Sequence, residues 1–279
     1  MAMSKGTYAA IVVVAIVAFI VGVYSHPMIF PPAEEPEAPE DPVWASVSES
    51  GVIRVGSSPD WPPYEFLEEG EFAGFEVDLM EMIADELNLE VEWVEMGFDL
   101  IIPEVQDQTI DLGVSGFSVK PERMEVVQFT MHHSVTEGQI IMLESRRAAL
   151  GITEIATLEE LVALDLSCAV QVGTTQQAEL LEKAPGALET YEDYLVAMED
   201  LKRGAVDCVY AEVPVTTLWI QEAEAAGEEA LVVFFRRPYY PVAFVAHRDA
   251  DILVEKINGA LSEMIAEGEL DELKAEWIP

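Results

Sequence analysis

The sequence predicts an α/β fold with two lobes and a ligand cleft between them. Between residues 52 and 123, short apolar runs alternate with amphipathic stretches in the order β-α-β-α-β, which indicates a sheet with helices on both faces. A second series of this kind begins after residues 139–145, and two helical segments follow it. Two lobes joined by two connecting strands enclose a cleft, and open α/β sheets bind ligands beyond the carboxyl ends of their strands.

The beginning of the chain is predicted to lie outside this fold. Residues 9–24 form an uncharged apolar run, short for a membrane span but longer than most signal-peptide cores. We predict a transmembrane anchor or signal segment over residues 1–27, with an uncleaved anchor preferred to a cleaved signal. Because Lys5 is the only early charge and the far flank is acidic, the rest of the chain is expected to be exported. Residues 28–43, rich in proline and glutamate, predict an extended linker, and the folded part is expected to begin near Trp44.

The first lobe is predicted over residues 44–138, with a return over residues 241–279. Its strands are expected at residues 52–57, 90–96 and 110–115, and its helices at residues 75–89, 99–108, after Pro121, 250–268 and 269–278. The helix 75–89 is the clearest, since its apolar residues recur at the spacing of one helical face.

The second lobe is predicted over residues 139–240. Its helices are expected at residues 157–164, 175–184, 192–204 and 214–223, and its strands at residues 168–172 and 206–213, before a strand-like return over residues 231–247. The two cysteines, Cys168 and Cys208, fall in the two strands. We predict buried free thiols there, although export would permit a disulfide.

The charge of the chain excludes nucleic acid as a partner and indicates a saline medium. Asp and Glu number 53 against 14 Lys and Arg, which gives a formal net charge of −39. Nucleic-acid binding depends on clustered Lys and Arg, whereas dense carboxylates favour solubility where salt damps their repulsion. A hypersaline habitat is the hypothesis that follows. No metal-ligand spacing is present, no cofactor is expected, and His132 and His133 are interpreted as part of a polar loop.

A candidate anion site lies around Arg123. A loop of small residues, 115-SGFS-118, leads to Pro121 at the first turn of a predicted helix. Backbone N–H groups at such a turn attract an anion, and an arginine one turn later can hold the same anion with two parallel hydrogen bonds. From this stretch alone, a surface arginine paired with one of the many acids is an equal alternative.

From about Val52 onward the sequence resembles the family 3 extracellular solute-binding proteins, the amino-acid receptors of ABC importers. The resemblance is carried, in order, by 58-SPDWPPYEF-66, 74-GFEVDLMEMIADELN-88, 98-FDLIIPEV-105, 113-GVSGFSVKPER-123, 172-VGTTQQ-177, 206-VDCVYAEVPV-215 and the C-terminal helix pair. It implies the type II periplasmic-binding-protein fold, in which two α/β lobes joined by two crossing strands close on a ligand. The crossing strands are expected near residues 136–142 and 239–245. The implied partners are a free amino acid and an ABC permease, and we expect a monomer.

The resemblance also implies roles at the two charged groups of the ligand. Arg123 would grip the α-carboxylate with help from Ser118, and Thr174 and Thr175 would offer backbone N–H groups to it from the second lobe. An ordinary helix N-cap is compatible with that role. Glu212 would receive the α-ammonium where the family usually carries an aspartate, and the alternative is a solvated acid at a strand end.

Five further positions are implied in shaping the ligand pocket. Trp61 would stack over the ligand, Phe98 would form an apolar wall, and Gly116 would let the ligand approach the backbone closely. For both aromatic residues the alternative is packing within the lobe. Gln171 and Ser58 would tune the choice of side chain. Relatives that take basic amino acids often have an acid where Ser58 stands, which argues mildly against a cationic ligand side chain.

A second function remains open on the same resemblance. The family includes cyclohexadienyl and arogenate dehydratases, enzymes that use this cleft for elimination reactions. In such an enzyme Glu212 would be a general acid and not an ammonium ligand. The paired carboxylate and ammonium positions favour the non-enzymatic receptor, and incubation with prephenate or arogenate distinguishes the two.

Overall fold

A computed structural model of the protein describes residues 41–278. The predicted anchor or signal segment over residues 1–27 and all but the last part of the predicted linker lie outside the described residues. Within residues 41–278, no helix combines the length and the apolar character needed to span a membrane.

The strands and helices follow the predicted alternation and include several short elements that were not predicted. The first part contains α1 (Pro42–Ser50), β1 (Val52–Ser57), β2 (Asp60–Trp61), β3 (Glu65–Glu68), β4 (Glu71–Ala73), α2 (Phe75–Leu87), β5 (Glu90–Glu95), α3 (Phe98–Gln106), β6 (Leu112–Gly113), α4 (Pro121–Met124) and β7 (Gln128–Phe129). The middle contains β8 (Ser134–Leu143), α5 (Glu144–Leu150), α6 (Glu159–Ala163), β9 (Cys168–Gln171), α7 (Thr175–Lys183), β10 (Leu188–Tyr191), α8 (Tyr194–Lys202), β11 (Cys208–Glu212), α9 (Val213–Ala226) and β12 (Leu231–Val242). The last part contains β13 (Val245–Ala246), α10 (Asp251–Glu267) and α11 (Glu269–Trp277).

Two five-stranded sheets form the two lobes. The first has the strand order β5-β1-β6-β13-β7, with β1 parallel to β5 and β6 and with β13 antiparallel to its neighbours. The second has the order β10-β9-β11-β8-β12, with β9 parallel to β10 and β11. A small sheet of β2, β3 and β4 carries the loop that follows β1. The two-lobed α/β architecture is therefore as predicted.

Two long antiparallel strands connect the lobes. β8 follows β7 and takes the chain from the first sheet to the second. β12 takes the chain back to the first sheet, where β13 follows. They pair from Leu231↔Leu143 to Val242↔Ser134, with shifts of register on the way. The expected crossing segments, residues 136–142 and 239–245, fall on β8 and on the end of β12 with the start of β13.

Helices cover the sheets as the apolar patterns require. In α2 the buried side chains include Phe75, Leu79, Met80 and Ile83, and the helix ends where Asn88 takes the left-handed conformation. The helices α10 and α11 pack against α2, while α7, α8 and α9 pack on the second sheet. Burial of these faces is the main stabilising contribution to each lobe.

The folded part begins slightly before the predicted Trp44. The buried Asp41 caps α1 by accepting a hydrogen bond from Trp44 N at 2.8 Å, and it also accepts from Ile252 N at 2.7 Å and Leu253 N at 3.1 Å. One carboxylate thus satisfies donors at the starts of α1 and α10. The predicted proline-rich linker includes Pro42, whereas Pro42 is the first residue of α1, a position that proline favours.

The two cysteines are buried and free, as predicted. Cys168 and Cys208 are register partners on the parallel strands β9 and β11. Burial raises the pKa of the Cys208 thiol well above its usual value, and its neighbour Cys168 adds to the shift. Both thiols therefore behave as small apolar side chains of the second core.

Candidate ligand-binding site

The candidate site is a cavity between the two lobes. The first lobe contributes Asp60, Trp61, Glu65, Phe98, Ser115, Gly116, Ser118 and Arg123, and the second contributes Gln171, Thr174, Thr175, Gln176, Tyr194 and Glu212. Of the ten residues predicted from the sequence, only Ser58 is absent from this lining. The cavity measures about 20 Å³, room for about one water molecule. An amino acid therefore requires the lobes to move apart before it can enter.

Arg123 reaches the cavity from the short helix α4. Its hydrogen bonds within the described residues go to two backbone carbonyls, from Nη1 to Ser118 O and from Nη2 to Gly173 O, each at 3.1 Å. The guanidinium carbon also lies 5.2 Å from the centre of the Phe117 ring and 5.5 Å from that of Phe98. Burial lowers the pKa of Arg123 to about 10, so the group stays charged at neutral pH. This arginine is held in place without a carboxylate hydrogen-bonded to it, which leaves its charge available to an anion.

The turn before α7 brings residues of the second lobe to the cavity that Arg123 reaches. Thr174 is the N-cap: its hydroxyl accepts from Gln177 N at 3.2 Å and donates to Gln171 O at 2.7 Å. Thr175 is buried in the first turn. The bond from Arg123 to Gly173 O joins this turn to the first lobe across the cleft. The N-cap is observed, and it leaves the predicted role of the first-turn N–H groups open.

Glu212 is a buried acid at the end of β11, only 6% exposed, and not a solvated strand end. Gln176 Nε2 donates to its Oε1 at 2.5 Å, and Arg237 Nη2 lies 4.0 Å from the same oxygen. Burial raises the pKa of Glu212, while Arg237, Gln176 and Arg123 act against the rise. The carboxylate is thus placed in the cavity with two cations close by.

Asp60 is the main site residue that the sequence did not reveal. Its Oδ1 accepts from Ser58 Oγ at 2.9 Å, and its Oδ2 accepts from Gln171 Nε2 at 2.7 Å and from Tyr194 N at 2.9 Å. Two of these bonds cross from the first lobe to the second. Burial raises the pKa of Asp60 to about 6, against the lowering effect of these hydrogen bonds. Ser58 does not line the cavity itself, but its hydroxyl contacts two residues that do, Asp60 at 2.9 Å and Gln171 at 3.5 Å.

The aromatic side chains form the walls and also pack within the first lobe. Trp61 lies over Gly116, where φ is 60° and where an added Cβ atom would collide with the indole ring. Phe98 stacks on Phe117 with ring centres 4.7 Å apart, and Trp61 packs on Tyr64 at 4.6 Å. Glycine at position 116 is therefore required for this close approach.

A buried polar network supports the loop that carries Gly116. Glu76 Oε2 accepts from Gly116 N at 2.8 Å, and its Oε1 is bonded to His133 Nε2 at 2.8 Å. Glu65 Oε1 accepts from Ser115 Oγ at 3.1 Å. Burial and the neighbouring Glu76 raise the pKa of Glu65 well above its usual value.

Both histidines lie in the loop between β7 and β8, as interpreted from the sequence, but only His132 is exposed. His133 is 2% exposed, and its partner Glu76 lies far away in the sequence. The residues next to His133 in the sequence indicate the loop, but nothing in them indicates the contact with Glu76. Within residues 41–278, no group of histidines, cysteines and acids has the arrangement of a metal site.

The family model for bacterial extracellular solute-binding proteins, family 3, matches residues 53–279. The chain belongs to this family. The resemblance seen in the sequence is thereby confirmed, and the match extends over the whole two-lobed part of the molecule.

Several proteins and solved structures resemble the chain over most of their length. The ABC transporter arginine-binding protein 1 of Escherichia coli (strain K12) is 26% identical over 230 residues, which cover 81% of this chain and 90% of that protein. The crystal structure of a mutant of ArgBP from T. maritima has a TM-score of 0.76 and 28% identity, covering 84% of this chain and 98% of the other. The ancestral amino acid-binding protein AncCDT-1, described as a precursor of cyclohexadienyl dehydratase, has a TM-score of 0.74 and 26% identity, covering 84% and 99%.

Proposed function

We propose that this family 3 solute-binding protein captures a basic amino acid and delivers it to an ABC importer. The observation that carries the proposal is a pair of opposite charges at the cavity. Among residues 41–278, Arg123 has no hydrogen-bonded carboxylate and the buried Asp60 is bonded only to neutral donors. A zwitterion with a cationic side chain needs one cation and two anions from its receptor. Arg123, Glu212 and Asp60 supply that set.

The α-carboxylate and α-ammonium are assigned to Arg123 and Glu212. The planar guanidinium suits a carboxylate, and the adjacent hydroxyl of Ser118 and the first turn of α7 supply further donors. Glu212 has one Oε1 hydrogen bond from Gln176, so acceptor capacity remains for an ammonium. Since Arg123 and Glu212 belong to different lobes, only the closed cleft makes both contacts at once.

A cationic ligand side chain is supported by Asp60. The sequence argued mildly against it because Ser58 is not acidic, but the acid stands two residues later and accepts a bond from Ser58 itself. In the closed cleft the side-chain amide of Gln171 donates a hydrogen bond to Asp60. The guanidinium or ammonium group of a ligand would take its place as a charged donor. Several of the similar proteins are named as arginine-binding, among them those of Mannheimia haemolytica and Corynebacterium glutamicum.

The test is a thermal-shift screen of the full chain against the twenty amino acids, followed by calorimetry. Arginine or lysine is expected to give the largest shift; a ligand at about a hundred times its Kd adds about 2.7 kcal/mol of stability. Asp60→Asn should weaken basic ligands far more than neutral ones. Asp99→Asn is the matched control, since Asp99 is exposed beside the cleft and does not line the cavity. A neutral amino acid as the best ligand would exclude the basic class.

The dehydratase alternative is kept because Glu212 has the character of a general acid. Burial raises the pKa of Glu212, as an acid that donates a proton near neutral pH requires. The similar curated proteins are named as binding proteins, which favours the receptor. Formation of phenylpyruvate or phenylalanine from prephenate or arogenate, lost in Glu212→Gln, would establish the enzyme instead.

The family description as extracellular supports a location outside the cytoplasmic membrane. We further propose that residues 9–24 remain as an anchor and that residues 28–40 hold the folded part away from the bilayer. Fractionation of cells expressing the full chain tests this proposal. Recovery in the soluble fraction with a new N-terminus after residue 25 would favour a cleaved signal.

A further inference from the structure

Arg237 is a buried cation behind the Glu212 carboxylate. It lies on β12, where the pairing with β8 shifts register between Arg236 and Tyr239. Its side chain is 5% exposed and passes over Gly138 of β8, where an added Cβ atom would collide with it. An irregular strand and a glycine opposite it thus make room for one arginine between the two connecting strands.

The guanidinium of Arg237 is shared between two carboxylates of the second lobe. Its Nη1 donates to Glu179 Oε1 at 2.8 Å, and its Nη2 lies 4.0 Å from Glu212 Oε1. The rings of Tyr240 and Tyr210 flank it, at 4.4 Å and 5.7 Å from the guanidinium carbon. Within the described residues, Nε and Nη2 have no hydrogen-bond acceptor. Arg237 therefore acts on Glu212 through its charge and not through a hydrogen bond.

We propose that Arg237 is a positioning residue that keeps Glu212 ionised and directed into the cleft, and so makes the site selective for ligands with an α-ammonium group. The proposal rests on the role given to Glu212 under the proposed function. A buried carboxyl without a nearby cation takes up a proton, and a neutral carboxyl is a poor partner for an ammonium. The 4.0 Å contact leaves the lone pairs of Glu212 to Gln176 and to the ligand.

Arg237 is the countercharge from the protein that a ligand carboxylate would not neutralise. Within the described residues, the charged and titratable groups around Glu212 are Arg123, Arg237, Tyr64, Tyr194 and Tyr210, with Glu179 bonded to Arg237 and Lys120 at 3.8 Å from Glu179. The tyrosine hydroxyls are neutral near pH 7, since burial raises the pKa of Tyr64, Tyr194 and Tyr210. A ligand carboxylate would neutralise Arg123, and Arg237 then offsets the burial of Glu212.

The first measurement needs no ligand. The carboxyl carbon of Glu212, labelled with 13C in the full chain and assigned by its loss in Glu212→Gln, is titrated in wild type and Arg237→Met. We expect the pKa of Glu212 to rise by about one unit or more in the variant, the usual effect of removing a charge at this distance. Arg237→Lys should restore most of the wild-type value. Arg236→Met is the matched control, because Arg236 is exposed and pairs with Glu137.

The second measurement compares L-arginine with 5-guanidinopentanoate, which lacks the α-amino group. At a pH below the pKa measured for Glu212 in wild type, Arg237→Met should bind arginine about tenfold more weakly than wild type, the equivalent of one pKa unit. The deficit should shrink towards pH 8 and be small for the des-amino compound. Equal losses for both compounds, or an unchanged Glu212 pKa, would overturn the proposal.

If Arg237→Met does not fold, a second variant that should shift the pKa of Glu212 in the opposite direction tests the proposal. Glu179→Gln removes the other partner of Arg237, so the whole charge acts on Glu212 and the pKa of Glu212 should fall. A rise in that variant would overturn the proposal. If wild type binds no arginine at all, the ligand class is wrong, and the titration still decides the role of Arg237.

Discussion

Asp60 predicts that the affinity for a basic amino acid falls steeply in mild acid. Its carboxyl is buried, and burial raises the pKa of Asp60 to about 6. A cationic side chain binds the ionised form, so protonation of Asp60 competes with the ligand. Lowering the pH from 7 to 5 crosses that pKa and therefore protonates most of Asp60.

The magnitude follows from the ionised fraction. With a pKa of about 6, Asp60 is about 90% ionised at pH 7 and about 9% ionised at pH 5, so the affinity should fall about tenfold. Folding stability responds with the opposite sign. The folded state takes up the proton at a higher pH than the unfolded state, whose value is near 3.8, so the contribution of Asp60 to stability rises as pH falls from 6 towards 3.8. Protonation of Asp60 itself therefore weakens binding without destabilising the fold.

Calorimetry with arginine and with glutamine at pH 7, 6 and 5 measures the effect. Both ligands report the α-carboxylate and α-ammonium contacts equally, so the ratio of their affinities isolates Asp60. The ratio should fall about tenfold in wild type and stay constant in Asp60→Asn. A ratio independent of pH in wild type, or a pH dependence that survives in Asp60→Asn, would refute the assignment of Asp60 to the ligand side chain.

Three further predictions concern binding, salt and motion. Arg123→Ala should leave the fold intact and cost about 2–5 kcal/mol of ligand affinity, because a charge-assisted pair is lost; calorimetric binding within threefold of wild type would contradict the site. The melting temperature should rise steadily with sodium or potassium chloride, since salt screens a net charge of −39; a flat curve would remove the hypersaline hypothesis. Solution scattering should show a smaller radius of gyration on ligand binding, because only the closed cleft lets Arg123 and Glu212 act on one molecule; no change at saturation would favour a rigid cleft.

The sequence predicted the site well where the information is local. Gly116, Ser118 and Arg123 lie in one short stretch, and Thr174 and Thr175 lie in another. Each stretch follows a strand, and strand ends meet at the cleft in this architecture. Nine of the predicted residues therefore line one cavity, although their roles towards a ligand remain predictions.

The residues that the sequence did not reveal depend on partners far along the chain. Asp60 contacts Gln171 and Tyr194, and His133 contacts Glu76. In a chain with 53 acids, a single aspartate or glutamate carries no signal of its own. Its importance comes from burial, and burial of a polar group is set by the tertiary structure.

The same limit explains the elements that were missed. The strands β2 to β4, the helix α5 and the strand β10 are each only two to seven residues long. Periods of two or 3.6 residues cannot be established over so short a stretch. Long elements with a buried face, such as α2 and α10, were predicted to within a few residues.

The distribution of positive charge connects these observations. Lys and Arg number only 14, yet Arg123 and Arg237 are both placed beside the buried Glu212. An acidic surface repels anions from the protein as a whole and attracts cations without selection. Binding of a zwitterion therefore has to be decided inside the cleft, where water is largely excluded and a few charges act at short range. In the proposed function, Arg123 would restore the affinity for a carboxylate that the rest of the chain opposes. Asp60 and Glu212 would in turn make the site selective for a ligand that also carries positive charge.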